Sequence, residues 1–212
     1  MIKDKVIILR EFITEFQTTG TIFPSSKWAA DALSHPVRQE RDCGISILEA
    51  GPGSGPVTVR ILKQMNDKDT LTLCELNPRL MQTLKAKLAL NSDFLRHKDR
   101  ITFYEGPVQN LSEDSKFDVI ICAIPFLNLE RSLVEEIFEK LLRLSNPGSQ
   151  MTYFEYMGLR PLGLLASLPE RRRRLRELDA YFRELFDKHR PNRTRVWLNL
   201  LPINVYTFEM AA

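Results

Sequence analysis

The chain has 212 residues, 43% hydrophobic and 27% charged, with a formal net charge of +3. That length and balance support one sizeable buried core and exclude a disordered tail, and so small a net charge by itself demands neither nucleic acid nor an anionic membrane. Cys43, Cys74 and Cys122 are odd in number, widely spaced and without a CxxC pair, which argues against a zinc site or a disulfide framework; no metal is expected, and the thiols fit a reduced cytosol.

No apolar stretch approaches the length needed to span a bilayer. The start MIKDKVIILREF lacks the apolar core and cleavage site of a signal peptide, so the expectation is a soluble or peripheral protein. In that opening stretch Ile2, Val6, Leu9, Ile13 and Phe16 fall near one helical stripe, widened by Ile8 and Phe12 and flanked by Lys3, Lys5 and Arg10. The pattern suits an interfacial helix, and periodicity alone suits a helix packed on the domain equally well.

From residue 45 onward short β-rich runs alternate with helical patterns. ISILEA precedes VTVRILKQM, DTLTLCEL precedes PRLMQTLKAKLAL, ITFYEG follows, and FDVIICAI precedes LERSLVEEIFEKLLRL. This alternation predicts a mostly parallel sheet with helices on both faces. QMTYFEYM reads as a further strand and 169–189 as a charged helix. RVWLNLLPINVYTFEM then reads as two strands around Leu201 and Pro202. Five βα-type strands and a closing hairpin are the arrangement of class I methyltransferases: a Rossmann-like α/β fold with a seven-stranded, mostly parallel sheet.

LEAGPGSGP, at residues 48–56, poses the choice between a phosphate cradle and a sulfonium pocket. No lysine follows Gly55, which removes the Walker loop, and the spacing of Gly51, Gly53 and Gly55 is not that of the dinucleotide fingerprint. ExGxGxG is the pattern used for S-adenosylmethionine: a loop without side chains lets the backbone approach the ligand, and Glu49 at the strand end attracts its cationic amino group. Glu75 ends the next strand, followed by Leu76 and Asn77, where a carboxylate can grip two ribose hydroxyls. By analogy the adenine belongs near Gly106, Pro107 and Val108, although Pro107 has no backbone N–H to donate.

The fourth strand ends in CAIPFLN. Enzymes that methylate adenine place a polar residue where this chain has Ala123, so a flat base lacks its fixing contact. A primary alkylamine can instead use backbone carbonyls and the face of Phe126, which matters more as methylation makes the amine permanently cationic. IPF equally suits a strand end that plugs the core. Between residues 170 and 195, ten Arg or Lys stand against five acids, with Leu175, Leu178, Phe182, Leu185 and Phe186 at helical spacing. Such a helix can meet anionic lipid, meet RNA or simply be solvated.

Residues 9–26, LREFITEFQTTGTIFPSS, resemble the opening of the bacterial phospholipid N-methyltransferases. The similarity continues through LEAGPGSGPVT, CELNP, AIPFLN, TYFEYMG and RVWLNLLPINVY, most of the chain, and departs at Pro107 and in the run Arg171 to Arg174. The resemblance implies one methyltransferase domain over 1–212. Within it, 1–26 is a membrane-binding and substrate element and 158–193 a basic amphipathic insertion. The implied activity is S-adenosylmethionine-dependent methylation of phosphatidylethanolamine toward phosphatidylcholine, on the inner face of the cytoplasmic membrane, with an anionic membrane as partner and no nucleic acid. Relatives act on ornithine lipids. An RNA adenine dimethyltransferase and a non-catalytic binding module remain as rival readings.

The implied head-group site centres on Phe126, Tyr153 and Tyr156. Ala123 falls to the cofactor side, and Ile124, Pro125, Asn128 and Glu155 to the substrate. Strand alternation puts Glu155 on the same face as Tyr153 and turns Tyr156 away. Ser25, Ser26, Lys27 and Arg160 are candidates for the lipid phosphate, while Ser25 and Ser26, following a proline, are equally placed to cap the next helix. His35, His97 and His189 fall in no catalytic pattern.

Overall fold

The computed structural model describes residues 26–38, 41–126, 129–158, 169–199 and 201–210. The N-terminal stripe at 2–16 lies outside them. Seven strands make one sheet: β1 (Ser46–Ala50), β2 (Thr70–Glu75), β3 (Ile101–Glu105), β4 (Phe117–Cys122), β5 (Ser145–Tyr156), β6 (Asn192–Val196) and β7 (Ile203–Glu209). Their order is β3-β2-β1-β4-β5-β7-β6. β1 to β5 are mutually parallel, and β7 is antiparallel to both β5 and β6. This is the expected class I methyltransferase sheet, and its order reverses between β1 and β4, where the carboxyl ends of open α/β sheets hold ligands.

Each face of the sheet has its own core. On one face Ile47, Val119, Ile121 and Val205 meet α1 (Lys27–Leu33), α2 (Pro56–Gln64) and α3 (Pro78–Leu88). On the other, Leu48, Ile120, Met151 and Phe208 meet α5 (Arg131–Arg143) and α6 (Pro169–His189). Residues one apart in a strand enter opposite cores, as a period of two requires. A short helix that the periodicity did not suggest, α4 (Ser92–His97), is started by Asn91, whose side chain accepts from Phe94 N at 2.9 Å.

Two expectations need adjustment. The hairpin's first strand ends at Val196, so Trp197 to Pro202 form the connection. Its polar groups are held in two ways: Asn199 Nδ2 donates locally to Leu201 O at 2.9 Å, and Met157 N, just past β5, donates to Pro202 O at 2.7 Å. The basic helix α6 is a core element, because Leu175, Leu178, Tyr181, Phe182 and Leu185 are buried, with Phe182 stacked on Tyr153 at 5.4 Å. Its apolar side is occupied by the protein, which leaves only its charged side for an outside partner. Several of those charges are paired internally, among them Arg183 with Asp179 and Arg174 with Glu130.

Candidate functional site

The glycine loop leaves β1 and turns into α2. Gly51, Gly53 and Gly55 all take positive φ, at 79°, 57° and 80°. The demand on each differs. A Cβ on Gly51 would come within 3.0 Å of Ile124 Cγ1 and 3.4 Å of Ile124 N, so the turn after β1 is pressed against the turn after β4. A Cβ on Gly53 would meet nothing within 4 Å. There the loop borders open space, and an absent side chain leaves its backbone free to approach a ligand.

Glu49 lies beneath this loop with 0% exposure. One carboxyl oxygen accepts from Thr58 Oγ1 at 2.7 Å, and the other, Oε1, is buried without a partner. Burial pushes its pKa up to about 8, the neighbouring Glu75 adds to the rise, and Thr58 opposes it. An unpartnered buried carboxyl oxygen is costly unless something supplies a donor, and a cationic amino group would do so. Thr58 is a partner that sequence reasoning missed; its only signal was being the polar residue in the apolar first turn PVTV.

Glu75 is also buried, and its two oxygens divide their duties. Oε2 accepts from Gly53 N at 3.1 Å and Oε1 from Asn77 N at 2.9 Å, so the acid ties the β2 end to the glycine loop. Burial raises its pKa while the backbone donors of Asn77, Gly53 and Leu76 oppose the rise. A carboxylate has about four lone-pair sites, so its oxygens can still accept from a hydroxyl donor. Asn77 caps α3 through Arg79 N at 2.9 Å, and Leu76 packs against the α5–α6 side of the core. Near the β3 end, Pro107 begins a 3₁₀ turn, Val108 is buried, and Gln109 Oε1 is buried without a partner. These groups form one edge at the carboxyl ends of β1, β2 and β3. The orphan oxygen of Glu49 and the open space at Gly53 fit S-adenosylmethionine.

The acceptor side is arranged differently. Ala123 N donates to Ala50 O at 2.9 Å, which joins the ends of β4 and β1, and Ile124 and Pro125 are partly buried. Phe126 corrects the expectation of an exposed aromatic face. It is 2% exposed and lies 5.1 Å from Phe138 and 5.3 Å from Tyr153. Its face is spent on other rings and belongs to the core. Tyr153 is buried too, and its hydroxyl donates to Glu155 Oε1 at 2.5 Å, as strand alternation predicts. Tyr156 faces the other core, edge-on to Phe154 at 5.5 Å, with its pKa raised by burial.

Asn204 pairs in register with Glu155 across β5 and β7 and has a buried Oδ1 without a partner; no sequence motif marked it. Ser26 caps α1, accepting from Ala29 N at 3.2 Å, while its own N–H donates to Asn199 Oδ1 at 2.9 Å across 173 residues. Lys27 is exposed and sits over the Trp28 ring at 4.5 Å. Ser25, Asn128 and Arg160 lie outside the described residues. Among the described residues no cluster of His, Cys, Asp or Glu is arranged to hold a metal, and no helix is long and apolar enough to cross a membrane.

Residues 47–148 match the family described as a methyltransferase domain, Methyltransf_25. No curated protein matches the chain. Solved structures share its fold. A Staphylococcus aureus protein proposed to be a caffeoyl-CoA O-methyltransferase is 15% identical, with 93% of this chain and 91% of that one covered and a TM-score of 0.64. Magnesium protoporphyrin IX methyltransferase from Synechocystis, solved with bound S-adenosylmethionine, is 10% identical over 87% of this chain and 79% of its own, at 0.62. A Pyrococcus horikoshii protein proposed to be an RNA methyltransferase is 14% identical over 87% and 85%, at 0.56. Residues 47–148 thus match a methyltransferase domain and the described chain has the class I methyltransferase fold, with strand-end acids and a glycine turn that fit S-adenosylmethionine as cofactor.

Proposed function

We propose that the chain methylates the amine head group of a membrane lipid, with phosphatidylethanolamine the best-fitting acceptor. The observation that carries this reading is the acceptor set on β5 and β7: Glu155, oriented by the Tyr153 hydroxyl, beside Asn204 with an unpartnered Oδ1. Oxygen acceptors gathered at the carboxyl end of the sheet suit a donor-rich amine. The Ser26–Asn199 hydrogen bond also supports it, because it joins the Pro-Ser-Ser element to the Trp-Leu-Asn-Leu ending, two segments on which the lipid-enzyme resemblance rests.

In this reading Glu49 and Glu75 hold the amino and ribose ends of the cofactor, while the backbone at Gly53 admits it closely. Bound S-adenosylmethionine supplies an activated methyl group. The protein's own part is to position a neutral amine, accept one proton from it and exclude water. Glu155 is the candidate to attract the ammonium form and to orient the amine, with Asn204 as the second acceptor. Phe126 and Tyr153 serve as packing that fixes Glu155, and Tyr156 supports the opposite face.

Incubation of the protein with labelled S-adenosylmethionine and vesicles containing phosphatidylethanolamine, or with RNA, tests the proposal. Label should enter mono-, di- and trimethylated lipid, and Glu155→Gln should lower turnover while cofactor affinity persists. Transfer to RNA with none to lipid would overturn it.

A further inference from the structure

We infer that Trp28, Trp197 and Leu198 form a docking surface for an anionic lipid bilayer, a deepening that rests on the lipid-amine reading. Among the described residues most large apolar side chains are buried; these three are 45%, 65% and 62% exposed, and the other exposed ones, Leu90 and Leu95, lie apart from them after α3 and in α4. They come from opposite ends of the chain. The Ser26–Asn199 hydrogen bond sets the first turn of α1 beside the connection after β6, and α1 packs on β6 and β7 beneath it. Exposed apolar side chains gathered in one place mark an interaction surface more often than scattered ones do.

Three features favour a bilayer over another partner. Tryptophan, with an apolar ring and one N–H, is suited to the boundary between acyl chains and head groups. The neighbouring charges are positive. Lys27 lies over Trp28, while Arg193 and Arg195, in register with Tyr206 and Asn204, stand on the other face of edge strand β6 from α1; both are exposed and make no ion pair with any described residue, so they can meet anionic head groups from that side. The position is also apt. β6 runs parallel to β5, so Val196 and the residues after it lie at the carboxyl end of the sheet, the end that carries the glycine loop and Glu155. Met157 N to Pro202 O, at 2.7 Å, ties that connection to the end of β5. A bilayer resting there faces the acceptor side of the domain, so a lipid amine need travel little beyond the head-group layer.

Trp28 and Trp197 are the protein's only two tryptophans, so intrinsic fluorescence reports on this surface alone. Vesicles of phosphatidylethanolamine with phosphatidylglycerol should shift the emission to shorter wavelength, and lipids brominated along the acyl chain should quench it. Trp197→Ser with Leu198→Ser should weaken vesicle binding by about tenfold, and Arg195→Gln by about threefold at low salt, with cofactor affinity unchanged as the check on folding. Quenching without methyl transfer to lipid would keep the surface and remove the lipid-amine reading. Transfer to vesicle lipid with both tryptophans unquenched would keep that reading and overturn the surface. An emission shift produced by raising protein concentration alone would assign the patch to a second copy of the chain and likewise overturn it.

Discussion

The cofactor edge and the proposed acceptor edge lie at the same end of one sheet but are built in different ways. The cofactor edge is made from consecutive units: Glu49, Gly51, Gly53, Thr58 and Glu75 fall within two βα repeats, and its key contacts are backbone N–H groups and short side-chain bonds. The acceptor edge is assembled from both ends of the chain, with Ser26 held by Asn199 and Glu155 set opposite Asn204. A ligand common to many enzymes can be held by a loop motif. In the proposed reading, an acceptor particular to one enzyme is held by side chains that only the completed sheet brings together.

This contrast is broken most severely if Phe126 is a substrate contact after all. Its ring packs on Phe138 and Tyr153, so Phe126→Ala should cost about 3 to 5 kcal/mol of unfolding free energy in denaturant titration. A loss below about 1 kcal/mol with an altered ratio of methylated products would return the ring to the site.

Glu49 offers the next largest effect. Its folded pKa is about 8 against an ordinary 4.5. The folded state therefore keeps a proton that the unfolded chain releases, so this group's contribution is intact below 4.5 and is lost as pH rises to about 8. Glu49→Gln removes that dependence. Without cofactor, the variant should be more stable than the parent above pH ~8 by on the order of 3 kcal/mol. It should also bind S-adenosylmethionine more weakly. Parallel stability curves for parent and variant between pH 5 and 9, by thermal unfolding, would show that the carboxyl titrates normally.

Glu75→Ala should weaken cofactor binding by about 1 to 3 kcal/mol in calorimetric titration, because it removes a buried acceptor and leaves Gly53 N and Asn77 N unpaired. Unchanged affinity would break the assignment of the cofactor edge. The smallest effect is expected at the join between the chain ends. Asn199→Ala should cost about 1 kcal/mol of stability and lower transfer to vesicle lipid, while cofactor affinity stays constant. Equal loss of both activities would show that the two edges are not separable.

The alternation of strands and helices, the glycine turn and its two acids were legible in the chain alone, because they follow from local patterns: apolar periodicity, glycine spacing and the carboxylate at each strand end. So was the relative facing of Tyr153, Glu155 and Tyr156, since a strand's period is two. Long-range packing settled that Phe126 is a core ring and that α6 turns its apolar side to the sheet. It likewise decided that Thr58 holds Glu49, that Asn204 stands beside Glu155, and that Ser26 and Asn199 join the segments carrying the exposed Trp28 and Trp197. Periodicity tells which side of an element is apolar. Which neighbour covers that side, and which polar atom is left without a partner, depends on segments that meet only when the sheet closes over both ends of the chain.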